Sequence, residues 1–323
     1  MAKKIQKLKP DTVLKNYWSN NEQFADLFNA VLFDGEQVIK PSELEDADTE
    51  ESTVLENKDY VESLQASRDV IKIHKVSNAL GVQFVMYGLE NQEKIHYAMP
   101  IRVMGYDYMA YKKQYDNNAK KYQNNKGMDD DEYLSKMKKT DKFIPVITIV
   151  VYYGEKPWDG AVTLHGMLNI PSKLINFVND YKMNLVEARE NDLTLHNINN
   201  VDLFNLLEII MDKGLSRKEA REKAIEYANQ HNVDKSVVLT VAGATNCKID
   251  YNSLDRKGDS DMCTLFEEIA KESESKGEAK GIIRMLKKYN ESDDNILNEL
   301  LSELHISEDI AKEYLNNYNQ GIL

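Results

Sequence analysis

The chain has 323 residues, 42% hydrophobic and 29% charged, and its 41 basic against 54 acidic side chains give a net charge of −13. That length supports one large domain or two ordinary ones, and the acidic balance argues against a protein that coats nucleic acid indiscriminately while leaving room for a locally positive cleft. No run approaches the roughly 18 apolar residues of a membrane span, the basic start Met1-Ala2-Lys3-Lys4 leads into Pro10-Asp11 rather than an apolar stretch, and the only cysteines, Cys247 and Cys263, stand apart, so neither a membrane nor a disulfide framework is expected.

The first helix starts near Asp11, a candidate N-cap, and runs to Asn16. A second places Phe24, Leu27, Phe28, Val31 and Leu32 on one face at spacings of three and four. The stretch from Pro41 to Glu51 carries Glu43, Glu45, Asp46, Asp48, Glu50 and Glu51 and reads as a solvated loop.

Two apolar runs follow, Asp69-Val70-Ile71-Lys72-Ile73 and Val82 to Glu90, with turn residues Ser77, Asn78 and Gly81 between them. Their β-branched and aromatic content predicts consecutive strands of a hairpin. Alternation along a strand gives Glu90 and Gln92 one face. With Asp69 opposite them, two carboxylates meet at a sheet end, an arrangement suited to a divalent cation.

A long helix is expected from about Ile95 to Tyr122, with Pro100 confined to its first turn. Lys94, Arg102, Lys112, Lys113, Lys120 and Lys121 alternate there with Tyr106, Tyr108, Tyr111, Tyr115 and Tyr122. An amphipathic helix with lysines on its wet face explains this pattern. A phosphate-contacting helix explains it as well, and the two are compatible.

Pro145 to Tyr153, ending at Gly154, is apolar on both faces and predicts a buried strand. From Val201 the texture is helical: Leu203, Leu206, Leu207 and Ile210 share a face, and Ser216-Arg217-Lys218-Glu219 has the form of a capping box. Gly277-Glu278-Ala279-Lys280-Gly281 is read as a separator between two helices, and Ser307 as the cap of the last one. The organisation expected is an α/β (α+β) sheet domain over 1–195, a helical region over 196–323 and a small helical tail over 276–323.

Other chemistries find little support. The six histidines show no i, i+4 pair, and neither a Gly-x-Ser-x-Gly elbow nor a Walker-type glycine loop is present.

A helix, an acidic meander, a crossover helix and a further strand form the succession of a restriction-endonuclease-like core. Asp11-Thr12-Val13-Leu14-Lys15, Ser67-Arg68-Asp69-Val70, Glu90-Asn91-Gln92 before a helix bearing Tyr106, Val150-Val151-Tyr152-Tyr153-Gly154 and the Gly-Glu-Ala-Lys-Gly segment occur in this order. Together they resemble the Rpn family of recombination-promoting nucleases, also described as putative transposases of the PD-(D/E)XK superfamily. Departures are Pro10 before Asp11, Leu14 where phenylalanine is common, Arg68 between Ser67 and Asp69, and Asn91 in place of a histidine.

The resemblance implies a cytoplasmic bacterial DNA endonuclease using Mg²⁺, with Mn²⁺ or Ca²⁺ as substitutes. Asp69 and Glu90 would be its ligands, joined by the Asn91 carbonyl, and Gln92 would occupy the position of the motif lysine. Hard cations prefer oxygen ligands and need only one or two carboxylates. Glutamine keeps hydrogen-bonding capacity but carries no charge and is no base. Lys15, Lys94, Arg102, Lys112 and Lys113 are the candidate DNA contacts. Glu22 or Asp26 would supply an extra acid, and the helical C-terminal region a homo-oligomer contact. A catalytically weak member that binds DNA or protein through the same scaffold is the alternative, and a purely structural interaction protein is a third reading.

Overall fold

The computed structural model describes residues 10–47, 50–57, 60–67, 69–78, 81–92, 94–122, 127–154, 156–190, 192–245 and 262–320, with the backbone alone for 10–11, 50–57, 60–67, 74–78, 81–90, 217 and 262–274. Arg68 lies outside the described residues, as do the side chains of Asp11 and Glu90. Two compact units divide the chain, Asp11–Met211 and Asp212–Leu323. The sequence reading begins the helical region at 196; the division follows α5 (Ile198–Met211), a helix tied to the first unit by buried hydrogen bonds.

In the first unit, α1 (Pro10–Trp18) and α2 (Asn21–Phe33) precede a sheet. Because α1 starts at Pro10, Asp11 falls inside its first turn rather than at the cap. Asn20 caps α2, its side chain accepting the Glu22 N–H at 2.8 Å. Past α2 the chain turns at Gly35, whose φ of 91° and close approach to Thr194 leave no room for a Cβ.

The sheet has five strands, β1 (Leu44–Asp46), β4 (Val70–Asn78), β5 (Gly81–Gln92), β6 (Val146–Tyr152) and β7 (Asn184–Glu187), hydrogen-bonded in that order. A hairpin of β2 (Glu50–Asn57) and β3 (Tyr60–Ser67) forms a separate two-stranded sheet. β1, β4 and β5 are antiparallel neighbours, whereas β5, β6 and β7 are parallel. Parallel neighbours need a crossover, and α3 (Met99–Lys121), followed by the short helix α4 (Asp130–Ser135), supplies the one between β5 and β6. Pro100 sits in the first turn of α3, where a missing N–H costs nothing.

β6 carries the core. Ile149, Val150 and Val151 are fully buried; Val150 packs with Met99 and Val103 of α3, and Tyr153, just beyond the strand, meets Trp18 of α1. The mixed helix and sheet agrees with the expected α/β class.

Two further expectations are corrected. The acidic stretch from Pro41 is not simply a solvated loop, since Leu44–Asp46 pairs with β4. The reason is Lys72, wholly buried on β4, whose ammonium donates to Asp46 Oδ1 at 2.6 Å and to the Ser19 carbonyl at 2.9 Å. A buried ammonium requires such partners. The Gly277–Gly281 segment does not separate helices either: it lies within the long helix α8 (Met262–Lys288). Each helical glycine costs about 1 kcal/mol, and Ala279 and Ile283 offset this by entering the core of the second unit.

That unit begins with α6 (Arg217–His231) and α7 (Lys235–Ala244), and the Ser216–Glu219 capping box is present at the start of α6. After α8 come α9 (Asp293–Leu304) and α10 (Glu308–Asn319), the latter capped by Ser307. Ile296, Leu300, Ala311, Tyr314 and Leu315 close the core with α8. Among the described residues no helix is long and apolar enough to cross a membrane.

Candidate active site at the strand ends

β4 begins with Val70 and Ile71, both buried, so the charged residue before them is carried to the rim of the sheet. That residue is Asp69. The antiparallel ladder ends on the pair Val70 and Leu89, with Asp69 directly before the one and Glu90 directly after the other. β5 continues beside β6, pairing Glu90 with Val150, Asn91 with Val151 and Gln92 with Tyr152. The backbones of Asp69, Glu90, Asn91 and Gln92 therefore gather at one end of the sheet. The Glu90 side chain lies outside the described residues, so the separation of the two carboxylates does as well.

Asp69 is held by a continuous hydrogen-bonded chain. Its Oδ2 accepts the Asn91 backbone N–H at 2.7 Å and the Asn91 Nδ2 at 3.0 Å. Asn91 Oδ1 in turn accepts the Tyr153 hydroxyl at 3.1 Å, and the Tyr153 oxygen accepts the Trp18 indole N–H at 2.7 Å. Each member thus fixes the orientation of the next, from α1 through β6 to the rim. Linked donors of this kind polarise one another. Gln92 donates its Nε2 to the Asn91 carbonyl at 2.9 Å.

No family model, curated protein or solved structure matches the chain. The site is therefore argued from its own geometry.

Burial pushes the Tyr153 phenol above the ordinary tyrosine range, and the nearby Asp69 charge acts in the same direction, against the opposing Trp18 hydrogen bond. The hydroxyl consequently stays a donor to Asn91 in alkaline solution. A raised folded-state pKa contributes stability that is complete below the unfolded value, near 10.0, and is lost as pH climbs beyond it. Denaturant midpoints of the wild type should therefore fall more steeply above pH ~10 than those of Tyr153→Phe, which should be weaker by about 1–3 kcal/mol at neutral pH for the buried groups left unpaired. Parallel pH slopes would contradict this.

The described donors here, the Asp69 carboxylate and the Asn91 backbone carbonyl, are oxygens of the kind a hard cation takes. Among the described residues no group of three or more His, Cys, Asp or Glu side chains is placed to hold a metal, a statement that does not extend to Glu90.

The basic candidates are spread more widely. Lys15 is half-buried on α1, and Lys94 is exposed just past β5. Arg102 donates to the Tyr106 hydroxyl from Nε at 3.1 Å and from Nη2 at 2.5 Å. Lys112 bonds Asp116 Oδ2 at 2.6 Å and lies over the Tyr115 ring at 5.7 Å, and Lys113 is exposed. Of the two extra acids, Glu22 is exposed, while Asp26 is buried and accepts the His196 N–H at 2.8 Å and Asn200 Nδ2 at 2.9 Å. Asp26 belongs to the packing of α2 on α5, a structural post.

Sequence reasoning missed Trp18 as a support and took Tyr153 only as part of a strand end. The signal was thin: Trp18 is one of two tryptophans and follows Tyr17 in an otherwise polar turn with Lys15 and Asn16.

Proposed function

We propose that the chain is a divalent-metal-dependent DNA endonuclease with a restriction-endonuclease-like core, similar to the Rpn nucleases and putative transposases. The observation that most supports this reading is that Asp69 directly precedes Val70 and Glu90 directly follows its ladder partner Leu89, two residues ahead of Gln92, at the end of a sheet whose next strand is reached through α3. The acidic pair and the crossover order stand together, which neither composition nor a single motif would supply.

In this reading Asp69 and Glu90 hold the cation with the Asn91 carbonyl. When bound, such an ion supplies positive charge to the scissile phosphate and lowers the pKa of a water. The chain's own residues set the geometry. Asn91 fixes the Asp69 carboxylate through two hydrogen bonds, Tyr153 fixes Asn91, and Gln92 presents an amide where a lysine would bring charge. That amide can orient a water or a phosphate oxygen by hydrogen bonding, but it takes no proton.

The neutral Gln92 favours one alternative, a member of the same scaffold that binds DNA or a protein without appreciable turnover. Supercoiled plasmid incubated with the full chain separates the two. Nicking in Mg²⁺ or Mn²⁺, abolished by chelator, is the expected result. Salt-sensitive DNA binding with no nicking in any divalent ion would favour the alternative.

A further inference from the structure

Lys72 is 0% exposed on β4, with its ammonium 5.6 Å from the centre of the Phe24 ring. A hydrocarbon side chain would be the easier occupant, since exchanging a buried ion pair for well-packed apolar residues is often neutral or stabilising. What a hydrocarbon cannot do is hold polar groups in place. Lys72 holds two, the Ser19 carbonyl at 2.9 Å and Asp46 Oδ1 at 2.6 Å. Ser19 directly follows the last residue of α1, so its carbonyl stands at the negative end of that helix, where a cation is favoured.

Fixing Ser19 fixes its neighbour Trp18. From there the bonds run from the Trp18 indole to Tyr153, from Tyr153 to Asn91 and from Asn91 to Asp69. Asp69 immediately precedes β4, the strand that carries Lys72, so this path leaves the strand at the lysine and returns to its start. The ammonium's other partner, Asp46, belongs to the edge strand β1, and its side chain is 82% exposed. One of the acids that sequence pattern assigns to a solvated loop thus anchors the buried end of the path.

We propose that Lys72 is a positioning residue for the candidate metal site: through the Ser19 carbonyl and Trp18 it sets the Tyr153–Asn91 pair that aims the Asp69 carboxylate, while Asp46 keeps the ammonium in place. The inference rests on the nuclease reading and adds to it a residue that touches neither metal nor DNA. Charge and position act here with opposite signs. Three strand steps of about 3.3 Å put Lys72 roughly 10 Å from Asp69. A positive charge there repels a cation, so its removal on Coulombic grounds alone would tighten metal binding. A carboxylate that has lost its aim binds metal more weakly.

Lys72→Met in the full chain tests this with two readouts. In chelator, hydrogen exchange at the Asn91 backbone amide, which donates to Asp69, should quicken about fivefold relative to the mid-strand amides of β6. In Mn²⁺ titrations the affinity should fall about fivefold, short of the 10–100-fold typical of a group bonded directly to a ligand. Lys72→Gln, which keeps a donor for the Ser19 carbonyl, should lie between Lys72→Met and the wild type. Tyr153→Phe cuts the same path, so adding Lys72→Met to it should weaken binding little further. Should Lys72→Met not fold, Asp46→Ala, at an exposed side chain, replaces it. Its weakening of about twofold should vanish in the Tyr153→Phe background, where a through-space charge effect would persist. Unchanged or tighter Mn²⁺ binding in Lys72→Met, Asn91 exchange that merely follows the rest of the sheet, or full additivity with Tyr153→Phe would overturn the inference. If the wild type binds no Mn²⁺, the nuclease reading falls and the Asn91 exchange still decides the role of Lys72. A Mn²⁺ site lost in Asp69→Asn but indifferent to Lys72→Met would refute the positioning role alone.

Discussion

Asp69→Asn is expected to lower metal-dependent plasmid nicking about a thousandfold while leaving the protein folded. The carboxylate Oδ2 accepts two hydrogen bonds from Asn91, and an asparagine carbonyl at the same place can accept both. Shape and anchoring are therefore retained and one negative charge is lost. A bound cation contributes several kcal/mol of charge stabilisation, and about 4 kcal/mol corresponds to three decades in rate. The variant separates charge from scaffold more cleanly than alanine, which would also leave the Asn91 N–H groups unpaired. Nicking within tenfold of the wild type, with an unchanged melting profile, would remove Asp69 from the site.

Asn200→Leu should be the most destabilising single change of similar volume in the first unit. Asn200 is fully buried, accepts the Tyr17 hydroxyl at 2.9 Å, and donates to the Gln23 carbonyl and to Asp26 Oδ2, each at 2.9 Å. Three helices meet in this one amide. Leucine fills the space but takes one partner each from the Tyr17 hydroxyl, the Gln23 carbonyl and the buried Asp26 carboxylate, which keeps the His196 N–H. At roughly 1–3 kcal/mol for each unsatisfied group, with partial relaxation, the loss is about 4 kcal/mol. For a unit of this size that lowers the thermal midpoint by about 10 °C. A shift under about 3 °C would mean that the amide is not the tie between α1, α2 and α5. The same node bears on the site, since Trp18 follows Tyr17 and its indole begins the chain of bonds to Asp69.

The parts of the fold legible in the sequence are those set by local pattern. β6 could be read because it is buried on both faces and shows as an unbroken apolar run. The helix α3 was expected from about Ile95 and begins at Met99, one residue before Pro100, whereas the Ser216 and Ser307 caps carry their partners within three residues. The β4–β5 hairpin was legible as two apolar runs, but Ser77, Asn78 and Gly81, read as its turn, pair within the ladder. What the pattern hid depends on distant partners. β1 is only three residues long and is held by a lysine 26 positions away, and its acidic neighbours read as solvent-facing. The hairpin β2–β3 interrupts its apolar residues with Glu50, Glu51, Glu56 and Glu62, which masked its alternation. Asp26 looked like a spare acid because its partner stands 174 residues further along.

The candidate site divides the same way. Asp69, Glu90 and Gln92 could be named from strand ends and spacing. The support beneath them could not, since Trp18 and Tyr153 are 135 residues apart and join only in the folded chain. α3 shows the converse. Its tyrosines and lysines were visible as composition, yet Tyr106 is buried beside Arg102 while Tyr108 faces outward. Only the fold sorts the two.

The central claim is that Asp69 and Glu90 hold one divalent cation between them. Calorimetric titration of Mn²⁺ into the full chain, alongside Asp69→Asn and Glu90→Gln, addresses it without relying on turnover. The wild type should show one saturable site that is lost or greatly weakened in both variants, with melting profiles unchanged. Wild-type affinity retained in both variants would contradict the account.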